Sequence, residues 1–407
     1  MNTQILSKAI EMMEKNQFDD FTKSKVLEYI EIHDAMYGDI IDTTDVIERI
    51  GQNLTKSILF KQPRTSGEMT RLGGYYSGNK SITFFETNIN DDVLFHEIDH
   101  SATSDLSSMP DFESDYAWTN EGMEKIRNEG YRYYTGIEVI EQMPNKSETC
   151  IGKNLNEGIT EIKTLDYAKF RDIQATKSGY NNNCNMAEQI GCLIGRDNLI
   201  KKHFYNDIDG INDELEKYGI NLYEIDELSN KFAGDYMQRT INIGSGKIDT
   251  EKENKYKIEF QNKMTLGFIA KRCQELGITR NEYANLTRKQ KKQEYIHLQE
   301  FEKFKLCDCP ELNQLKAQLQ PRSFLESIKG LFKKKNQRLP EGKILEEIDD
   351  HLEEKPKTHS WNLNNWGIDA EKIRTESSQL AEEYEEENKN TIEDKKQEIS
   401  VENQIGD

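Results

Sequence analysis

His96, Glu97, Ile98, Asp99 and His100 are the residues whose types and spacing most directly specify chemistry. In a helix, side chains four apart share one face, with Cβ atoms roughly 5–6 Å apart. Two imidazoles presented that way can both reach one metal ion at about 2.0–2.1 Å. His96 and His100 have that spacing. Glu97 turns to the edge of the same face, where it can take a proton from a water beside the metal without ligating the metal, the place of a general base. Leu94, Phe95 and Ile98 supply an apolar side to anchor the helix in a core. Taken alone, the pattern also fits a helix carrying two ordinary histidines.

Zinc needs another protein ligand, and the stretch Asn154-Leu155-Asn156-Glu157-Gly158-Ile159-Thr160-Glu161 offers one. Its carboxylates at Glu157 and Glu161 are four apart, so on a helix both face the same way. Glu157 can close a three-ligand shell and leave the fourth position for water. Glu161 can accept the spare ring N–H of a ligand histidine and fix its tautomer. The competing reading is a solvated acidic face, but Gly158 and Thr160 between the acids suit such a face poorly.

HEIDH followed downstream by NEGITE resembles the gluzincin arrangement of zinc metallopeptidases, and NEGITE is similar to the Asn-Glu-x-x-Ser/Thr-Asp/Glu stretch of thermolysin-like enzymes. The resemblance covers about residues 70–165. It implies a zincin-like fold with one Zn²⁺ per chain, held by His96, His100 and Glu157. It further implies Glu97 as catalytic base, Glu161 as the acid behind a ligand histidine, and a peptide or protein substrate. It gives Ser81–Phe85 the role of an edge strand just before the metal helix, able to pair with extended substrate backbone. Two features depart from that pattern. His100 and Glu157 are 57 residues apart, so an insertion must loop out and return. No counterpart of the downstream histidine that assists the transition state is present: Lys202-His203-Phe204 does not match it, and Tyr180 and Tyr167 are the candidates to replace it, each also readable as structural. In ImmA/IrrE-like peptidases the acid sits on a later helix with an alanine-rich apolar face, which Ala187-Glu188-Gln189-Ile190-Gly191-Cys192 resembles; this makes Glu188 the fallback metal ligand.

These residues must be positioned by an α+β fold, mostly helical, with a small mixed sheet beside the metal helix. Residues 1–60 read as helices, from Ile5, Ala9, Ile10 and Met13 and then Val26, Ile30 and Ile32. Tyr75-Tyr76, the turn Ser77–Lys80 and Ser81–Phe85 read as a hairpin. Asp91-Asp92 suit the start of the metal helix. Residues 103–154 read as an insertion with some local structure, and helical patterns return over 155–235. These parts make up a zincin-like metallopeptidase domain, 1–235. Residues 236–320 read as mainly helical, opened by a short hairpin of Ile241–Ile243 and Tyr256–Phe260. The last segment, 321–407, reads as a charged, largely disordered tail with little to bury.

The formal net charge is −20, which repels phosphate backbones, so no nucleic-acid partner is expected. The basic clusters Arg288–Lys292 and Lys333–Lys335 read as solvated helix faces. More than half of the net negative charge falls from Leu339 on, which makes the acidic tail a candidate surface for a protein partner. There is no secretory leader pattern and no apolar run of membrane-spanning length, and the six cysteines lack framework spacing. A cytoplasmic protein with free thiols is therefore expected. Cys307-Asp308-Cys309 has no second pair to make a zinc site, and Gly244–Lys247 lacks the full spacing of a phosphate loop. The function expected is zinc-dependent hydrolysis of peptide bonds, with Glu97 activating a water at the metal. The alternative is a non-catalytic zinc-binding regulatory or interaction protein of zincin fold.

Overall fold

The computed structural model describes residues 3–61, 73–85, 89–112, 114, 119–175, 180–233 and 250–320. The tail 321–407, Ile241–Ile243 and Gly244–Lys247 lie outside these described residues. The chain divides into two compact units, Met1–Gly267 with Phe304–Cys309, and Phe268–Lys303 with the segment from Pro310 on. The architecture is α+β and mostly helical, with two small sheets. Among the described residues no helix is long and apolar enough to cross a membrane.

The first unit opens with α1 (Thr3–Lys15), α2 (Asp20–Tyr37) and α3 (Thr43–Asn53). Their starts are set by side chains: Asp19 accepts the Thr22 N–H and Asp42 the Thr44 N–H, each satisfying a donor that a helix leaves open at its first turn. Val26, Ile30, Val46 and Ile50 are fully buried and recur at helical spacing, so α2 and α3 close over one core.

A three-stranded sheet follows, ordered β1-β3-β2 from β1 (Leu59–Phe60), β2 (Gly73–Tyr76) and β3 (Ser81–Phe84). β2 and β3 are antiparallel, with Tyr75 opposite Ile82, and β1 joins β3 in parallel, so the sheet is mixed. The turn between β2 and β3 is one short 3₁₀ turn, Ser77–Asn79, closed by Lys80 in the left-handed region (φ 50°). Ser81–Phe84, expected at an edge, is the central strand. All four of its residues are buried, which suits a strand covered on both sides, and among the described residues β1 and β2 take the two edges.

α4 (Asp91–Thr103) carries the histidine pair and runs directly into β4 (Ser104–Asp105). Residues 103–154, read from the sequence as an insertion with some local structure, hold regular elements among their described residues. They contain α5 (Asn120–Glu129) and a four-stranded antiparallel sheet ordered β4-β5-β6-β7, with β5 (Tyr131–Thr135), β6 (Glu138–Gln142) and β7 (Thr149–Ile151). The alternation was short and its apolar positions were partly Tyr and Thr, which hid the sheet. Gly136 and Ile137 form the two-residue link between β5 and β6, and Gly136 has φ 60°, which favours glycine.

α6 (Lys153–Phe170), α7 (Asn181–Ile194), α8 (Arg196–Phe204), α9 (Ile208–Glu216) and α10 (Leu222–Ser229) complete the helical layer. Tyr256–Phe260, expected as a strand, lies inside the long helix α11 (Thr250–Leu276). Phe260, Met264 and Phe268 are buried at a four-residue spacing, and that period overrides the short alternating stretch. The second unit holds the end of α11 with α12 (Arg280–Ala284), α13 (Arg288–Glu302) and α14 (Pro310–Leu319). Two capping boxes start α12 and α13, and the buried carboxylate of Glu294 takes a two-point contact from Arg272 at 2.8 and 2.9 Å.

Gly158 sits where α7 crosses α6: a Cβ there would overlap the carbonyl oxygen of Asn183 and meet the Ala187 Cβ at 3.1 Å. Gly158→Ala is therefore expected to force the two helices apart and destabilise the protein by about 1–3 kcal/mol. Thermal unfolding of the metal-free variant checks this, and an unchanged midpoint would contradict the packing.

Candidate metal centre

Two helices bring the donor residues together, and each is fixed at its end. The last carbonyls of α4 have no partner within the helix. Asn53 donates to the carbonyls of Ser101 and Ser104, and Arg49 and Asn206 both donate to that of Thr103. At the other end Lys25 pairs with Asp91 at 2.6 Å. Gly152 (φ 81°) leads into α6 as its N-cap, and the first turns of the helix are tied down by asparagines. Asn156 Oδ1 accepts the Ile137 N–H at 3.2 Å and contacts His203 Nε2 at 2.8 Å, while Asn154 donates to Ser229 and Asn230. Leu94, Phe95 and Ile98 of α4 and Leu155, Ile159 and Ile162 of α6 are all buried, and Phe95 stacks on Tyr167 of α6.

Between them lie His96, His100 and Glu157, the one group of His, Cys, Asp or Glu among the described residues whose ligand atoms converge closely enough to hold a metal ion. His96 Nε2 is 3.2 Å from His100 Nε2 and 3.3 Å from Glu157 Oε2, and His100 Nε2 is 3.5 Å from the same oxygen. Two ligands at the usual distances from a tetrahedral zinc lie about 3.3–3.4 Å apart. The three separations therefore match three edges of one tetrahedron, and the donor set fits zinc in both chemistry and size.

The second nitrogen of His96 has its own partners. Nδ1 is 3.4 Å from Glu161 Oε2 and 3.3 Å from Thr164 Oγ1. The Thr164 hydroxyl donates to the carbonyl of Thr160, which leaves its lone pairs for the His96 Nδ1–H. That arrangement places the proton on Nδ1 and turns the Nε2 lone pair toward the centre.

Burial by itself would lower the pKa of His96, but its contacts with Glu157 and Glu161 outweigh burial and raise it well above the ordinary histidine value. His100 is raised in the same way by Glu157. Burial would raise Glu157, yet His100 and His96 hold its carboxyl far below the usual range. The pocket thus stabilises positive charge beside a half-buried carboxylate, which a proton or a metal cation can supply.

Glu97 lies close enough to the donors for its charge to act on both histidines. Its Oε2 accepts the backbone N–H of Tyr75, on edge strand β2, at 2.7 Å. Glu188 is directed elsewhere, 3.4 Å from Arg196, which also pairs with Asp166 at 2.6 Å. His203 is fully buried against Asn156, and burial lowers its pKa to about 3. Tyr167 packs on Phe95 and donates to Glu28 at 3.2 Å. Tyr180, at the start of α7, is the tyrosine beside the donors: its ring stacks on His96, 5.8 Å between centroids and 8° from parallel. The thiol of Cys309 is buried, Cys307 is half-buried, and no disulfide joins the six cysteines, all of which lie among the described residues.

Sequence reasoning missed Tyr75, Thr164 and the buried pair of Asp99 with Lys163. Lys163 did leave a signal, a charged residue four after Ile159 on an otherwise apolar face. A backbone N–H contact such as that of Tyr75 leaves none.

No family model, curated protein or solved structure matches this chain.

The purified protein is expected to take up one zinc per chain. Glu161→Gln should weaken binding by roughly 10–100-fold, and Glu157→Gln by more, as an inner ligand. Binding should also weaken as pH falls, because protons held by His96 and His100 compete with the metal. Competition titration against a chromophoric chelator at two pH values measures all three effects.

Proposed function

We propose that the chain is a zinc metallopeptidase with a zincin-like fold. The observation that carries this reading is the tetrahedral spacing of the His96, His100 and Glu157 donor atoms, with the Glu97 carboxylate close enough for its charge to act on both histidines. His96, His100 and Glu157 would hold the ion, leaving one position open to water. When bound, zinc supplies Lewis-acid polarisation of a carbonyl and lowers the pKa of a water that it ligates.

The chain's own residues supply the rest. Glu97 takes the proton of the attacking water and passes it to the leaving amine. The Tyr75 N–H holds that carboxylate through a charge-assisted hydrogen bond, so the base is aimed before substrate arrives. Glu161 keeps the His96 tautomer fixed. Since the Tyr75 N–H is taken by Glu97, the outward groups of β2 that would meet an extended chain are the Gly73 N–H and the carbonyls of Gly73 and Tyr75. An extended peptide can add to that edge, which gives affinity with little sequence preference. A purely structural zinc site has no use for a carboxylate held at Glu97, which favours catalysis over the regulatory alternative. The absence of disulfides suits a reducing compartment, and with it the cytoplasm.

Glu97→Gln is expected to cut peptide hydrolysis by about 10²–10⁴-fold while zinc content stays at the wild-type level. Parallel metal analysis and a fluorogenic peptide assay test this. Wild-type turnover in the variant would remove the mechanism, and a wild-type protein with zinc but no hydrolysis of any peptide in a diverse library would favour the regulatory reading.

A further inference from the structure

Asp99 lies inside the histidine motif but takes no part in the donor set. At 3.6 residues per turn, Glu97 and Asp99 project about 80° to either side of the His96–His100 face. Glu97 flanks it toward β2, and Asp99 flanks it on the other side, toward α2 and α6. There its Oδ1 accepts from two groups: the Lys163 ammonium of α6, in a short ion pair, and the Tyr29 hydroxyl of α2, at 2.6 Å. Asp99 and Lys163 are both wholly shielded from solvent, and Tyr29 is 1% exposed. The histidines near Lys163, His33 and His203, are kept neutral by burial, each with a pKa of about 3, so they offer no competing charge.

Resting on the zinc reading above, we propose that the Asp99–Lys163 ion pair, with Tyr29, is a positioning device that sets α4 against α6 so that the Glu157 oxygen meets the two histidine nitrogens at metal-ligand spacing. Asp99 is next to His100 in sequence, and Lys163 is on the same helix as Glu157, Glu161 and Thr164. One contact therefore links the element that gives two ligands to the element that gives the third. Apolar packing between the same helices is non-directional and tolerates sliding of a fraction of an ångström. A directional bond between two charges, each on a stem held in a close-packed core, does not. Burying an ion pair is no economical way to gain stability, because a matched apolar pair often serves as well or better; fixing register is the better-attested use.

The test separates positioning from stability. In the full-length chain, the double substitution Asp99→Leu with Lys163→Met removes both charges and leaves neither one unpaired. We expect the metal-free variant to melt within a few degrees of the wild type. Its zinc dissociation constant should rise by about 10–100-fold, the range for lost outer-shell support, and the visible absorption of Co²⁺ bound in place of zinc should shift or weaken. A dissociation constant within twofold of wild type, with an unchanged Co²⁺ spectrum, would overturn the proposal and leave the zinc reading intact. A wild-type protein that binds neither ion would overturn the zinc reading and this proposal together. Should the double variant fail to fold, Tyr29→Phe removes only the hydroxyl from Asp99. A several-fold weaker zinc affinity is then expected, and an unchanged one would count against the device.

Discussion

Two imidazole nitrogens and a carboxylate oxygen are brought within 3.2–3.5 Å of one another inside a largely buried space between α4 and α6. Without positive charge among them, such atoms repel, and burial removes the water that would otherwise screen them. The rest of the first unit can be understood as what holds that arrangement in place. A cation at the centre turns three mutually unfavourable neighbours into ligands, and the raised histidine and lowered glutamate pKa values express the same demand for positive charge in proton terms.

Meeting that demand requires both helices to be held rigidly, and polar groups do most of this. The open carbonyls at the end of α4 are taken by Asn53, Arg49 and Asn206, which come from α3 and from the turn after α8. The start of α6 is held by Asn154 and Asn156, which connect it to α10 and to the β5–β6 link. The four-stranded sheet thereby has a structural task. Asn156 binds at its Gly136–Ile137 corner, where a side chain in place of Gly136 would overlap both Asn156 and His203. The 57-residue interval between His100 and Glu157 leaves α4, makes this sheet, and returns to seat the third donor.

The donor set was legible in sequence because its chemistry depends on helical periodicity, which side-chain identity reports well: four-residue spacings in HEIDH and NEGITE fix which atoms share a face. The hairpin before α4 was legible for a similar reason, since Ser77–Lys80 is rich in turn formers. Position within a sheet was not. Nothing local in Ser81–Phe84 distinguishes a central strand from an edge, and the neighbour that makes it central, β1, contributes only Leu59 and Phe60. The second sheet was obscured because Tyr131, Tyr133 and Thr135 are amphipathic and weaken the alternation. Tyr256–Phe260 misled in the opposite direction, since five residues can alternate by chance inside a helix whose burial repeats every four. Lys163 is the instructive case. A lysine at a core-facing position predicts a buried anion, but only tertiary structure shows that the anion is Asp99 of the metal motif.

The hydrogen bond between the first sheet and Glu97 of α4 carries a further consequence for the proposed chemistry. Glu97 Oε2 takes the N–H of Tyr75, and Tyr75 lies opposite the buried Ile82 of the central strand. The orientation of the base therefore depends on the register of β2 against β3. A one-residue slip would turn the Tyr75 N–H toward β3 and leave Glu97 without its donor. Gly73 strengthens that register, since any side chain there would run into Phe84 and the Thr83 carbonyl. The edge along which an extended chain can add and the carboxylate that would act on it are thus set by one pairing. Substrate placement and proton transfer, in the proposed reaction, share a single structural reference.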